Sequence, residues 1–315
     1  MILAAALPTL VLSTLALAGP TETPVSVAAD PAPLHGTLLR PEGAPRAVAL
    51  MLPGSGPTDR DGNSPLGVAA ASTRLLAQGL ADHGVASLRF DKRGVGQSAA
   101  AAPSEAEMTF DLNIADARLW IDRALSETGL SCVWLVGHSE GALVALAAAR
   151  DNDPRICGLV LLAGAGRKAC DVLREQLEAA PMPEDLKNQA FAAILDLEDG
   201  KTTQAPPALA SLFRPSVQPY MISWLALDPA DLIVDFNGPI LIGQGSTDLQ
   251  TTRQDAETLH AANWNTRLVV WEGVNHVLKT APADRAANLA TYADPALPLA
   301  SGVVDDVAGF ILQPR

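Results

Sequence analysis

Cysteine is scarce in this chain, with only Cys132, Cys157 and Cys170 among 315 residues. None stands at a zinc-holding spacing from a histidine, so no zinc site is expected. Basic residues are also in deficit. Lys and Arg number 22 against 35 Asp and Glu, a net charge of −13, which argues against nucleic acid and anionic membrane surfaces as partners. Internal repeats and long low-complexity tracts are missing too. What remains is 48% apolar and 18% charged, the composition of a globular chain long enough for one large core, or a core plus an insertion.

Residues 2–18 are apolar and carry no charge, and Ala16-Leu17-Ala18 offers a small-x-small pattern for cleavage before Gly19. Residues 1–18 are therefore read as a signal peptide, and the protein as exported, periplasmic or secreted. Pro8, Ser13 and Thr14 count against a permanent membrane anchor. Export permits disulfides. Cys132 and Cys157 open two successive strand-like runs, so a bridge between them stays open, with buried free thiols the plainer reading.

The most informative segment is Gly137-His138-Ser139-Glu140-Gly141. It follows an apolar run, 132–136, and precedes an alanine-rich helical pattern, 142–150. Strand, sharp turn and helix are the context in which G-x-S-x-G forms a nucleophile elbow. A serine hydroxyl needs a base, and the base needs an acid to orient it. The next strand-like run that ends in a turn and an acid leads to Asp248, and the run after it leads to Asn275-His276. Each candidate falls just past the carboxyl end of a strand, the edge where open α/β sheets carry their sites. Ser139 is the expected nucleophile, His276 the base and then acid, and Asp248 the orienting carboxylate. Asp231 and Asp235 precede their strand and belong at its other end. His138 is pinned inside the elbow, where packing or a hydrogen bond is the plainer role. His83 and His260 sit near helix ends, where a histidine commonly complements the dipole.

Strand-like runs at 34–40, 47–52, 85–90, 132–136, 156–163, 239–243 and 266–271 alternate with helical spacing at 72–83, 111–127 and 303–312. Ser72 is the expected cap and Gly84 the stop of the first of these helices. Alternation of this kind predicts a mostly parallel sheet covered on both faces. Residues 167–235 break the pattern with helical spacing at 173–180 and 184–198 and no strand. They are read as a helical cap inserted between nucleophile and acid, leaving 19–166 and 236–315 as the core. Phe213, Tyr220, Met221 and Trp224 are read as cap core rather than as an acyl pocket.

With these motifs placed, the chain resembles the α/β-hydrolase superfamily over nearly all of residues 34–315, and within it the bacterial esterases related to the serine-aminopeptidase-like branch. The stretches that carry the likeness are 53–62 (PGSGPTDRDG), 89–98 (RFDKRGVGQS), the elbow, and Asn275-His276. The resemblance implies the α/β-hydrolase fold, hydrolysis of carboxylic esters with short acyl chains, and an oxyanion hole made by the backbone amides of Ser55 and Glu140. Asp59, Arg60, Asp61, Asp91 and Arg93 are expected to brace the surrounding loops. A small-molecule ester is the expected partner. The alternatives are an aminopeptidase or amidase on small peptides, then an acyl thioesterase, then a hydrolase-fold binding protein without turnover.

Overall fold

The computed structural model describes residues 19–314; the segment read as a signal peptide, 1–18, lies outside them. Two strands open the fold, β1 (Thr21–Val27) and β2 (Leu34–Arg40). They are followed by β3 (Ala47–Leu52), α1 (Ser72–Asp82), β4 (Val85–Phe90), α2 (Phe110–Thr128), β5 (Val133–His138), α3 (Glu140–Ala149) and β6 (Ile156–Leu162). Helices α4 (Ala169–Ala179), α5 (Glu184–Glu198), α6 (Ala210–Phe213), α7 (Gln218–Leu225) and α8 (Pro229–Asp235) come next. The chain closes with β7 (Ile240–Gly245), α9 (Arg253–Ala262), β8 (Arg267–Trp271), α10 (Arg285–Ala290) and α11 (Val303–Ile311).

The strands form one sheet in the order β1-β2-β4-β3-β5-β6-β7-β8. β2 runs antiparallel to both β1 and β4, and every pairing from β4 to β8 is parallel. Side chains of a strand alternate between faces, and both faces here are covered. Val48, Leu50 and Leu52 of β3, with Val133 and Leu135 of β5, pack with Trp120 of α2 and the alanines of α3. Ala49, Met51, Trp134 and Val136 turn the other way, onto Leu76 and Leu80 of α1 and Val303, Val307 and Phe310 of α11. That is why the strands read as continuous apolar runs rather than as alternating ones.

β1 lies before residue 34, where the sequence predicts no strand. It pairs along its whole length with β2. Pro24 is tolerated because β1 is an edge strand, and only Val25 and Val27 are buried, so little apolar signal exists. Ser72 is not the cap of α1. Ala71 occupies that position in the left-handed region, at φ 52°, with no side-chain cap bond.

The free-thiol reading of Cys132 and Cys157 is also corrected: they form a disulfide, with Cα atoms 5.2 Å apart. Val133 pairs with Ile156 but Trp134 pairs with Gly158, so Cys157 is the extra residue of a bulge. That shift, invisible to periodicity, carries Cys157 beside Cys132. Cys170 is the buried free thiol. The bridge closes a 25-residue separation, for which loop-closure entropy gives about 3.5 kcal/mol of stabilisation. The double variant Cys132→Ala/Cys157→Ala is expected to lose stability of about that size in urea unfolding; an unchanged midpoint would contradict it.

Between β6 and β7 lie helices alone, among the described residues. Cys170 and Leu177 of α4, Ile194 and Leu197 of α5, Phe213 of α6, and Met221 and Leu225 of α7 share a core of their own.

Candidate active site

β5 ends at His138 and α3 begins at Glu140, which leaves Ser139 alone in the turn at φ 55°, ψ −121°. A non-glycine residue in that region is strained and persists only when its surroundings hold it there. The two glycines make the turn sterically feasible. A Cβ on Gly137 would lie 2.2 Å from the Gly141 carbonyl oxygen, and one on Gly141 would lie 2.2 Å from the Leu52 carbonyl oxygen. Gly137→Ala is expected to cost about 3 kcal/mol or more of stability, read by chemical denaturation; a change below about 0.5 kcal/mol would contradict the contact.

Asp248 and His276 meet beyond the ends of β7 and β8. His276 Nδ1 and Asp248 Oδ2 are 2.8 Å apart. The same oxygen accepts from Thr251 Oγ1 at 2.9 Å and from Gln244 Nε2 at 3.2 Å, while Oδ1 accepts from the amides of Gln250 and Thr251. Burial alone would push the Asp248 carboxyl up. His276 and the donated hydrogen bonds outweigh it and hold the carboxyl below its usual range. Both side chains are almost fully enclosed, 0% exposed for Asp248 and 6% for His276.

The segment bearing His276 is tied down by a buried amide network. Asn275 donates through Nδ2 to Asn288 Oδ1 and Thr291 Oγ1, and its Oδ1 accepts from the Lys279 amide. Asn288 in turn donates to the Thr247 and Pro282 carbonyls, joining this segment to the turn before Asp248. His138 donates from Nε2 to the His276 carbonyl at 2.7 Å. Burial, with His276 alongside, holds the His138 imidazole down at about 4, so it is neutral near pH 7 and serves as a structural donor.

Ser139, His276, His138 and Ser55 line one cleft of about 220 Å3. Its walls come from segments far apart in sequence. Thr58, Ser64, Leu66 and Val68 belong to the loop after β3, with Ser72 and Thr73 from the start of α1; Val277 and Tyr292 follow the histidine. Phe213, Tyr220, Met221 and Trp224 do not line it. Phe213 and Met221 are buried in the helical insertion's core, as the sequence reading had it.

Glu140 divides in two. Its amide opens α3 beside Ser139, but its carboxylate turns to the other flank. There Oε1 accepts from Lys92 Nζ at 3.0 Å, and Oε2 accepts from the Tyr220 hydroxyl at 3.0 Å. Burial, then the Glu140 charge, pushes the Tyr220 phenol far up, so it remains a protonated donor. The bracing expected of the other charged residues is present. Arg60 donates to both oxygens of Asp91, and Arg93 makes a two-pronged bond to Asp116 with both distances 2.8 Å.

Lys92, Tyr220, Gln244, Thr251, Asn288 and Thr291 were not singled out for these roles from the sequence. Apart from the Gln244 and Thr251 contacts with Asp248, each acts on a residue distant in the chain, and no local pattern marks it.

Comparisons with known proteins agree with this architecture. Residues 67–191 match the model of the family described as "Serine aminopeptidase, S33". No curated protein matches the chain in sequence. Among solved structures, Est1E from Butyrivibrio proteoclasticus with ferulic acid bound is 18% identical, with a TM-score of 0.60 over 92% of this chain and 100% of that one. A thermophilic esterase from Thermogutta terrifontis is 20% identical, with a TM-score of 0.52 over 82% of this chain and 92% of its own. A hypothetical protein from Pseudomonas aeruginosa is 18% identical, with a TM-score of 0.61 over 98% and 99%. At such identities the likeness is one of fold, and the fold is that of the α/β hydrolases.

Proposed function

We propose that the protein is a serine hydrolase that cleaves small carboxylic esters, with short acyl groups preferred, and that it needs no cofactor. The observation that carries this reading is the convergence on one cleft of Ser139, strained in its elbow, and His276, bonded to the buried Asp248. Ser139 attacks the ester carbonyl while His276 takes its proton. The amides of Ser55 and Glu140 stabilise the oxyanion. His276 then protonates the departing alcohol, an acyl group stays on Ser139, and water activated by His276 releases the acid.

The family match supports a second reading, an aminopeptidase. An N-terminal ammonium calls for an anionic partner, and no Asp or Glu is among the residues lining the cleft, so the ester reading stands first. The reading includes export to an oxidising compartment, supported by the Cys132–Cys157 bridge.

The test is hydrolysis of p-nitrophenyl esters from acetate to laurate beside aminoacyl p-nitroanilides. Fast turnover of the shortest esters with inert anilides is the expected result; preferential cleavage of the anilides would replace the ester reading with the peptidase one.

A further inference from the structure

One largely enclosed cation touches the peptide unit that carries one of the amides assigned to the oxyanion hole and the side chain of the residue that carries the other. Lys92 follows β4, whose neighbour in the sheet is β3, with β5 beyond it. From there its side chain, 13% exposed, crosses the end of β3. Nζ donates to the Gly54 carbonyl oxygen at 3.1 Å and to Glu140 Oε1 at 3.0 Å.

The Gly54 carbonyl and the Ser55 amide belong to the same peptide unit. That unit is trans, the Asp30–Pro31 bond being the cis peptide of the described residues. In a trans peptide the C=O and N–H point in opposite directions. An ammonium fixed on the Gly54 oxygen therefore holds the Ser55 N–H on the opposite side of the peptide from Lys92, in a stretch of chain that runs beside Ser139. Gly54 is close to that residue, since a Cβ on it would lie 3.4 Å from the Ser139 Cβ. The positive charge also polarises the peptide and makes its N–H a stronger donor. The second bond holds the side chain of Glu140, whose own amide is the other donor, and Tyr220 from α7 secures the remaining carboxylate oxygen.

We infer that Lys92 is a positioning residue for the oxyanion hole, setting the Gly54–Ser55 peptide against Glu140 so that both amides converge on one oxygen. This rests on the serine-hydrolase reading above. Its effect belongs to the transition state, because the ground-state carbonyl oxygen does not yet carry the charge those amides serve.

The experiment compares wild type, Lys92→Met, Lys92→Gln and Lys92→Arg, each corrected for active sites by fluorophosphonate titration to completion. Wild type and Ser139→Ala are assayed first. Full turnover by Ser139→Ala sinks the underlying reading whatever Lys92 does. With that reading intact, Lys92→Met is expected to lower kcat by about 100-fold with KM changed less than about threefold. The inhibition constant of an alkylboronic acid, which forms a tetrahedral adduct on Ser139, should rise in parallel with the loss of kcat/KM. Lys92→Arg keeps a cation in reach of both acceptors and should recover most of the rate. Should Lys92→Met not fold, Lys92→Gln supplies the reading, since its amide can serve one acceptor without the charge; its kcat should fall at least tenfold. A kcat per active site within twofold of wild type in the Met or Gln variant, or a loss confined to KM, overturns the inference.

Discussion

Ser139→Ala is expected to lower kcat by about 10⁶-fold, the scale seen when the nucleophile of a serine hydrolase is removed. The variant should lose none of its stability. Ser139 sits at φ 55°, where alanine meets the same steric penalty as serine, so the strain is retained. Ser139→Gly goes further. Glycine tolerates that region freely, and the variant is expected to be more stable than wild type by about 1 kcal/mol while equally inactive. Activity and unfolding free energy should therefore move in opposite directions, which separates a strained nucleophile from an ordinary tight turn. Substantial esterase turnover by the alanine variant would remove Ser139 from the mechanism.

The second large effect is expected at Asp248. In Asp248→Asn the oxygen facing the Gln250 and Thr251 amides can keep its acceptor role. The new NH2 would then face His276 Nδ1, where the carboxylate oxygen now sits at 2.8 Å. A donor in that place forces Nδ1 to become the unprotonated nitrogen and leaves the proton on Nε2, the nitrogen assigned to take one from Ser139. A comparable exchange in another serine hydrolase lowers kcat by about 10⁴-fold with the geometry intact, and a loss of that order with KM nearly unchanged is expected here. Steady-state kinetics on the fastest p-nitrophenyl ester measures it; a loss under tenfold would reduce Asp248 to a packing role.

Much of this arrangement was legible in the sequence for a physical reason. Strands covered on both faces are continuous apolar runs, and helices over a sheet have a regular apolar spacing, so β2 to β8, α1, α2 and α11 stood out within a few residues. The elbow was equally legible, because two backbone carbonyls 2.2 Å from a would-be Cβ exclude side chains at Gly137 and Gly141. The remaining features depend on contacts between distant segments. β1 is a strand because β2 offers it an edge, not because of its own composition. The Cys132–Cys157 bridge depends on a one-residue bulge. The clamp of Lys92 on Gly54 and Glu140, separated from it by 38 and 48 positions, exists only after three strands lie side by side. The walls of the cleft beside Ser139 escape the sequence for the same reason, since most of them are loops that periodicity does not describe.

Those walls have a consequence for how the molecule comes into being. The elbow, the loop after β3 and the helix start that follows it all lie within the first half of the chain, whereas Val277, Tyr292 and the histidine itself come from its last forty residues. Until the last segment joins the first half, the proposed mechanism has its serine but neither its base nor its second wall. On that mechanism a chain lacking His276 would be inert towards esters, and activity would require the final segment to dock. Nascent molecules would thus stay chemically silent until they are nearly complete.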